Sequence, residues 1–233
     1  MSPPGTTTTT TTHTHTHHTP HSGGTPLEHF DPALPSDEDP CPFCNISAFY
    51  APFPTANPPG PDSPRLAPSK LSPHAFVVLS TPTLVAFLDI MPLARGHILL
   101  CPRAHRPRLT DVTRREAQDL GEHLRLLGRA LVRATGVPDW NVVQNNGAAA
   151  AQVVGHCHYH LIPRPELRAA GVGRSRRSFT MFGRGAREEL DDDEAVELAA
   201  RLRECLAAVV AEEREGEWHG VNTTAAGQQK GKL

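Results

Sequence analysis

Three histidines alternate along one short segment: His156, His158 and His160, separated by Cys157 and Tyr159. Successive side chains of a strand point to opposite faces, so this spacing turns three imidazoles to one side and Cys157, Tyr159 and Leu161 to the other. A single histidine is ordinary packing, but three on one face are a poor choice for packing alone. They suit either a metal centre or a site that handles phosphate, because an imidazole near pH 7 is both a ligand and a nucleophile. Gln144, Asn145, Asn146 and Gly147 stand just upstream, and Gln152 follows them. The glycine allows a tight turn where the backbone can approach an anion closely. Asp89 and His97 place a carboxylate and an imidazole eight residues apart. Cys41 and Cys44 have the Cys-x-x-Cys spacing of a zinc knuckle, which needs two further ligands from elsewhere. A redox pair is the other reading, although no thioredoxin-like βαβ pattern surrounds it. Taken alone, Asp89 and Asn145 read as turn formers.

These residues need elements to hold them. Apolar runs at Ala75 to Ser80, Leu84 to Ile90 and Gly96 to Cys101 read as strands, as do Trp140 to Gln144 and Gly155 to Ile162. Thr113 and Glu116 form a capping-box signature. Behind it Ala117, Leu120, Leu124, Leu127, Leu131 and Ala134 recur at helical steps, and Gly136 with Pro138 ends the run. Asp191 to Glu194 places acid at the start of a last helix whose stripe is Ala195, Leu198, Leu202, Cys205 and Val209. Strands, a long helix, strands and a final helix predict an α+β fold with an antiparallel sheet.

The 233 residues carry 23 Lys plus Arg against 25 Asp plus Glu, a formal charge of −2. That balance argues against coating nucleic acid or an anionic membrane. Hydrophobic residues make up 38% and charged residues 21%, with 23 prolines and 18 glycines, so the globular part is diluted. The dilution is local. Residues 1–37 form a Thr/His/Pro-rich tail with little to bury, expected to be disordered, and 217–233 form a small, polar tail expected to be flexible. A Pro-rich stretch at 51–73 reads as a loop or insertion within a domain at 38–216. The basic cluster Arg174 to Arg187 reads as a solvated loop. No apolar run is long enough to span a bilayer, and the first residues lack the pattern of a secretory signal. Five cysteines without such a signal point to a reducing, intracellular setting, cytoplasmic or nuclear.

Together these motifs closely resemble the histidine triad (HIT) superfamily of nucleotidyl hydrolases and transferases. The resemblance rests on Cys41 and Cys44, Asp89 with Ile90, Gly96 with His97, and the run Pro102 to His105. It continues through Asn145 and Gly147, Gln152, and the triad followed by Pro163 and Arg164. Some branches carry Gln at the third histidine, so His160 points towards hydrolysis. The pattern is most similar to the Hint branch, particularly fungal adenosine 5′-monophosphoramidases, with Fhit-type dinucleoside triphosphate hydrolases as the nearest alternative. A weakly catalytic nucleotide-binding scaffold is a third possibility.

The resemblance implies a five-stranded HIT-like sheet with a long helix on one face, a homodimer paired through that helix and a strand, and a purine nucleotide substrate. It implies that His158 is the nucleophile, that His97 and His160 donate to phosphate oxygens, and that Asn145, Gly147 and Gln152 line the phosphate. Asp89 would accept the ribose hydroxyls and Ile90 would touch the nucleoside. It also implies a structural Zn2+ on Cys41, Cys44, His105 and His156, with no organic cofactor. One position departs: Val153 follows Gln152 where animal members carry Ser or Thr.

Overall fold

The computed structural model describes residues 41–165 and 189–214, all within the unit Ala33–Leu233. The two tails, residues 38–40 and the Arg174 to Arg187 cluster lie outside the described residues.

Helix α1 (Pro42–Phe49) opens the described chain. The strands are β1 (Val77–Ser80), β2 (Leu84–Leu88), β3 (Ile98–Pro102), β4 (Trp140–Gln144) and β5 (Tyr159–Pro163). Helix α2 (Arg114–Thr135) lies between β3 and β4, and α3 (Asp192–Arg214) closes the fold. The five strands form one sheet in the order β1-β2-β3-β5-β4, every pair antiparallel, as the apolar runs predict. No helix among the described residues is long and apolar enough to cross a membrane.

The long helix forms where its signals stand. Thr113 Oγ1 accepts from the Glu116 amide at 3.2 Å while Glu116 Oε2 accepts from the Thr113 amide at 2.8 Å. These reciprocal bonds satisfy donors that a helix start leaves open. Gly136 ends the helix at φ 71°, the left-handed conformation that glycine adopts without a Cβ penalty. The expected stripe is shifted in the structure. Ala117 is exposed, whereas Leu126 and Ala130 are buried beside Leu120, Leu127, Leu131 and Ala134. The buried arc is broad because α2 meets both the sheet and α3. Arg125, Arg129 and Arg133 tie the two helices through Glu212 and Glu213. At Gly128 the missing side chain admits the Trp140 ring, so β4 lies close against α2.

Every residue of β1, β2 and β3 is buried, because both faces of the sheet are covered. Val78, Ala86, Leu88, Ile98, Leu100 and Leu161 pack under α2 and α3. Val77, Val85, Phe87, Leu99 and Cys101 pack on the other face, under Phe43 and Ile46 of α1 and Tyr50, Phe53 and Leu66. The Pro-rich stretch is therefore a cover as well as a connection. Tyr50 is fully buried and its hydroxyl donates to the Ala67 carbonyl at 2.9 Å. Proline suits this task, since a covering strap needs buried side chains and no ladder of amides. Arg103 fastens the cover to the sheet by donating to the carbonyls of Ser47, Tyr50 and Thr81 and to the Ser80 hydroxyl.

Candidate active site

The triad is only partly on a strand. The alternation predicts strand from Gly155, but β5 begins at Tyr159. Upstream of it, β3 pairs with β5 only over Ile98 to Leu100 and β4 pairs with β5 only up to Gln144, so residues 156–158 stand outside the ladder. His156 and Cys157 instead bond individually: His156 Nε2 lies 2.9 Å from the Pro102 carbonyl, and the Cys157 amide donates to the Arg106 carbonyl at 2.5 Å. Arg106 is itself paired with Glu116, the capping residue of α2. This departure from the ladder separates the histidines by task.

His156 turns towards the cysteines. Its Nδ1 is 3.4 Å from Cys41 Sγ and 3.7 Å from Cys44 Sγ, and His105 Nδ1 is 3.4 Å from Cys44 Sγ. All four ligand atoms lie within 4.8 Å of one another. A tetrahedral zinc centre with ordinary bond lengths separates sulfur from nitrogen by ~3.5 Å, so the four residues fit that ion. The tautomer agrees: a ring nitrogen facing the Pro102 carbonyl must carry the proton, which leaves Nδ1 as the ligand atom. Burial holds His156 down at about 4, neutral as a ligand requires. Burial and the adjacent Cys41 push the Cys44 thiol up to about 11, so a strong cation is what would hold that sulfur as a thiolate.

His158 turns the other way. The Phe43 ring makes T-shaped contacts with both it and His156, at centroid distances of 5.1 and 5.8 Å. Its Nδ1 lies 2.6 Å from the His156 carbonyl. That oxygen can only accept, so Nδ1 carries the proton and Nε2 presents a lone pair. Burial lowers the His158 pKa, against smaller opposing effects from the His156 carbonyl and Asp89, and the ring is therefore neutral at pH 7. The His160 ring centroid is 4.8 Å from that of His158.

His97 is fully buried behind His160. The Leu93 amide donates to His97 Nδ1 at 3.2 Å, so His97 Nε2 carries the proton and donates to His160 Nδ1 at 3.0 Å. His160 consequently carries its own proton on Nε2. Asp89 is buried, with Oδ2 3.3 Å from His97 Nδ1 and Oδ1 accepting from the Met91 amide at 2.9 Å.

The turn after β4 continues alongside. Gln144 pairs with Tyr159 in the sheet, which brings Asn145 level with His158. Asn145 Nδ2 donates to the Ala151 carbonyl at 3.3 Å. Gly147, at φ 89°, donates its amide to Gln152 Oε1 at 2.6 Å. Gln152 Nε2 donates to the carbonyls of Pro107 and Val154 at 2.7 and 3.0 Å.

A HIT domain model matches residues 71–167. Adenosine 5′-monophosphoramidase HNT1 of Candida albicans is 34% identical over 139 residues, covering 58% of this chain and 85% of that protein. The chain belongs to the HIT domain family. Adenylylsulfatase HINT3 of Arabidopsis thaliana is 33% identical over 129 residues, 55% of this chain, and that match spans only 61% of the relative's length. A Zn-bound histidine triad family protein from Mycobacterium smegmatis superposes with a TM-score of 0.50 at 24% identity, covering 73% of this chain and 96% of that one, and shares its α+β fold.

Within this HIT domain the predicted residues fall into two adjoining groups. Cys41, Cys44, His105 and His156 meet in one, and Asp89, His97, His158 and His160 in the other, with Asn145, Gly147 and Gln152 in the turn beside it. Ile90 is half-buried against the α2–α3 core, its carbonyl accepting from Leu190 at 2.9 Å. The His97 Nε2 proton goes to His160, and both ends of the Gln152 amide are bonded to backbone, so each orients a neighbour. Sequence reasoning missed the His156 carbonyl and the Leu93 amide, which set the tautomers. Backbone groups exist at every position, so no residue type could have flagged them.

Proposed function

We propose that the chain is a nucleotidyl hydrolase that cleaves nucleoside 5′-phosphoramidates, adenosine 5′-monophosphoramidate among them, through a nucleotidyl-histidine intermediate. The observation that carries this reading is the 2.6 Å bond from His158 Nδ1 to the His156 carbonyl. It leaves Nε2 as an unprotonated nucleophile inside a buried cluster of imidazoles.

His158 Nε2 attacks the α-phosphorus, a P–Nε2 bond forms, and the bond to the leaving nitrogen breaks. That nitrogen gains a proton from solvent and departs as an amine. Water then attacks the same phosphorus and gives a proton back to solvent, the P–Nε2 bond breaks, and AMP and neutral His158 are released. Negative charge accumulates on the phosphate oxygens in both steps, and the His160 Nε2 proton faces that charge. His97 acts through His160 and is a positioning residue. Asp89 is the residue for the ribose hydroxyls and Ile90 for the nucleoside. The relatives named as a phosphoramidase and an adenylylsulfatase support an AMP conjugate as substrate.

The Cys41, Cys44, His105 and His156 centre is read as a structural zinc site, supported by its distances and by the His156 tautomer. It would tie α1 to the triad segment. A homodimer through the free edge of β4 is part of the same reading, and Val142, 44% exposed on that edge, supports it. AMP release from adenosine 5′-monophosphoramidate, with and without His158→Ala, tests the function. Release that stops in the variant, with AMP trapped on wild-type histidine after an alkaline denaturing quench, is expected; equal release from both proteins overturns it.

A further inference from the structure

Between Asn141 and His156 the chain carries no charged residue, so the turn beside His158 brings no charge of its own. One is lent from outside. The segment 107–109 is fastened to that turn at both ends. The Pro107 carbonyl accepts from Gln152 Nε2 at 2.7 Å, and the Leu109 amide donates to Asn146 Oδ1 at 2.9 Å. Arg108 stands between these anchors, its amide bonded to Asp111 Oδ2 at 2.9 Å. A Cβ at Gly147 would lie 3.6 Å from Arg108 Nη2 and 3.9 Å from both Cζ and Nε. Three near-equal distances mean that the guanidinium lies face-on over the glycine, with its N–H groups directed sideways.

The neighbouring arginines are committed. Arg103 donates to carbonyls and Arg106 grips Glu116 in a fork. Among the described residues, the Arg108 guanidinium has neither an ion pair nor a hydrogen bond. It is an exposed but anchored cation at the rim of the phosphate turn. Val153, 41% exposed on the same turn, offers no hydroxyl to a departing group.

We propose that Arg108 is a specificity-determining residue that binds the leaving group, favouring substrates whose leaving group is an oxyanion over those that release a neutral amine. The proposal rests on the nucleotidyl-histidine reading above and extends its substrate class from phosphoramidates to nucleoside monophosphate mixed anhydrides, which the cation favours. In such a substrate His158 Nε2 bonds to the α-phosphorus while the P–O bond to the leaving group breaks, and the electron pair leaves on oxygen. No proton is needed, but negative charge grows on that oxygen. A guanidinium stabilises it with paired, charge-assisted hydrogen bonds. A neutral amine gains nothing from it.

The test measures kcat/KM of the full chain for three substrates: adenylyl sulfate, which releases sulfate; diadenosine triphosphate, which releases ADP; and adenosine 5′-monophosphoramidate, which releases ammonia. The readout is the ratio of each anhydride to the phosphoramidate, which a general loss of fold does not move. Arg108→Ala is expected to lower at least one ratio about 10- to 100-fold, the worth of hydrogen bonds to a charged group, and Arg108→Lys to restore part of it. The ratio that falls identifies sulfate or a phosphate ester as the oxyanion. Ratios that stay within twofold of wild type overturn the proposal, as does a wild-type protein that hydrolyses only the phosphoramidate. Equal AMP release by wild type and His158→Ala overturns instead the reading on which it rests.

Discussion

Replacing His97 with leucine tests whether a buried residue that does not face the substrate sets the reactivity of one that does. The side chain is fully buried and links the Leu93 amide, at 3.2 Å, to His160 Nδ1, at 3.0 Å. Leucine fills similar space but removes both bonds. The His160 tautomer with its proton on Nε2 then loses the support of one neutral hydrogen bond, about 1 kcal/mol, or about a fivefold change in population. Loss of the ring's orientation adds to this. The ceiling is the cost of deleting an oxyanion donor outright, about 10²- to 10³-fold in kcat. His97→Leu should therefore lower kcat for adenosine 5′-monophosphoramidate by about 5- to 100-fold with little change in KM, and less than His160→Ala does. His97→Gln should recover part of the loss, because its amide can accept from Leu93 and donate to His160. Steady-state AMP release gives the rates, and 15N shifts of the His160 ring report the tautomer independently. A His97→Leu enzyme within twofold of wild type, or one with an unchanged His160 tautomer, would falsify the relay.

Three further outcomes follow from single observations. Burial disfavours the charged form of His158, so the acid limb of kcat/KM should lie below 6.5, the ordinary imidazole value, and activity should be lost only as pH falls through that lowered pKa; a limb at or above 6.5 contradicts the burial argument. A Cβ at Gly128 would stand 2.4 Å from Trp140 Cζ2, so Gly128→Ala should cost about 1–3 kcal/mol and lower Tm by roughly 2–4 °C per kcal/mol, and an unchanged Tm would mean that β4 does not sit on α2 as described. Cys44→Ser should reduce zinc, measured by atomic emission on the purified chain, from about one equivalent to well below it; full retention would remove Cys44 from the site.

Much of the architecture was legible because it is written in side-chain periodicity. The five apolar runs became the five strands, and Thr113, Glu116 and Gly136 bounded the helix that they predict. What escaped was set by partners distant in the chain. Helix α1 holds Cys44 within eight residues that lack any side-chain cap, so only Pro42 in its first turn announces it locally. The prolines of 51–73 exclude α-helix and central strand and leave only two short 3-10 turns, Pro64–Leu66 and Pro68–Lys70, yet Tyr50, Phe53 and Leu66 show their purpose only once a bare sheet face lies beneath them. The same holds in the site. Residue types identified the two groups, but the tautomers that give each imidazole its role depend on carbonyls and amides.

His156 joins the two groups more closely than a motif can express. Its ring faces Cys41 and Cys44 and is steadied by the Pro102 carbonyl, while its own carbonyl holds the proton on His158 Nδ1. One residue thus anchors the metal-ligand cluster with its side chain and sets the nucleophile with its backbone. The departure from the sheet ladder before Tyr159 makes this possible, because a paired His156 carbonyl would be committed to a neighbouring strand. Arg103 and the α1 cover, which at first concern only packing, hold the cysteines against that ring. Packing, metal-ligand geometry and the protonation state of His158 therefore converge on one peptide unit, from His156 to Cys157, and the strand begins only after it.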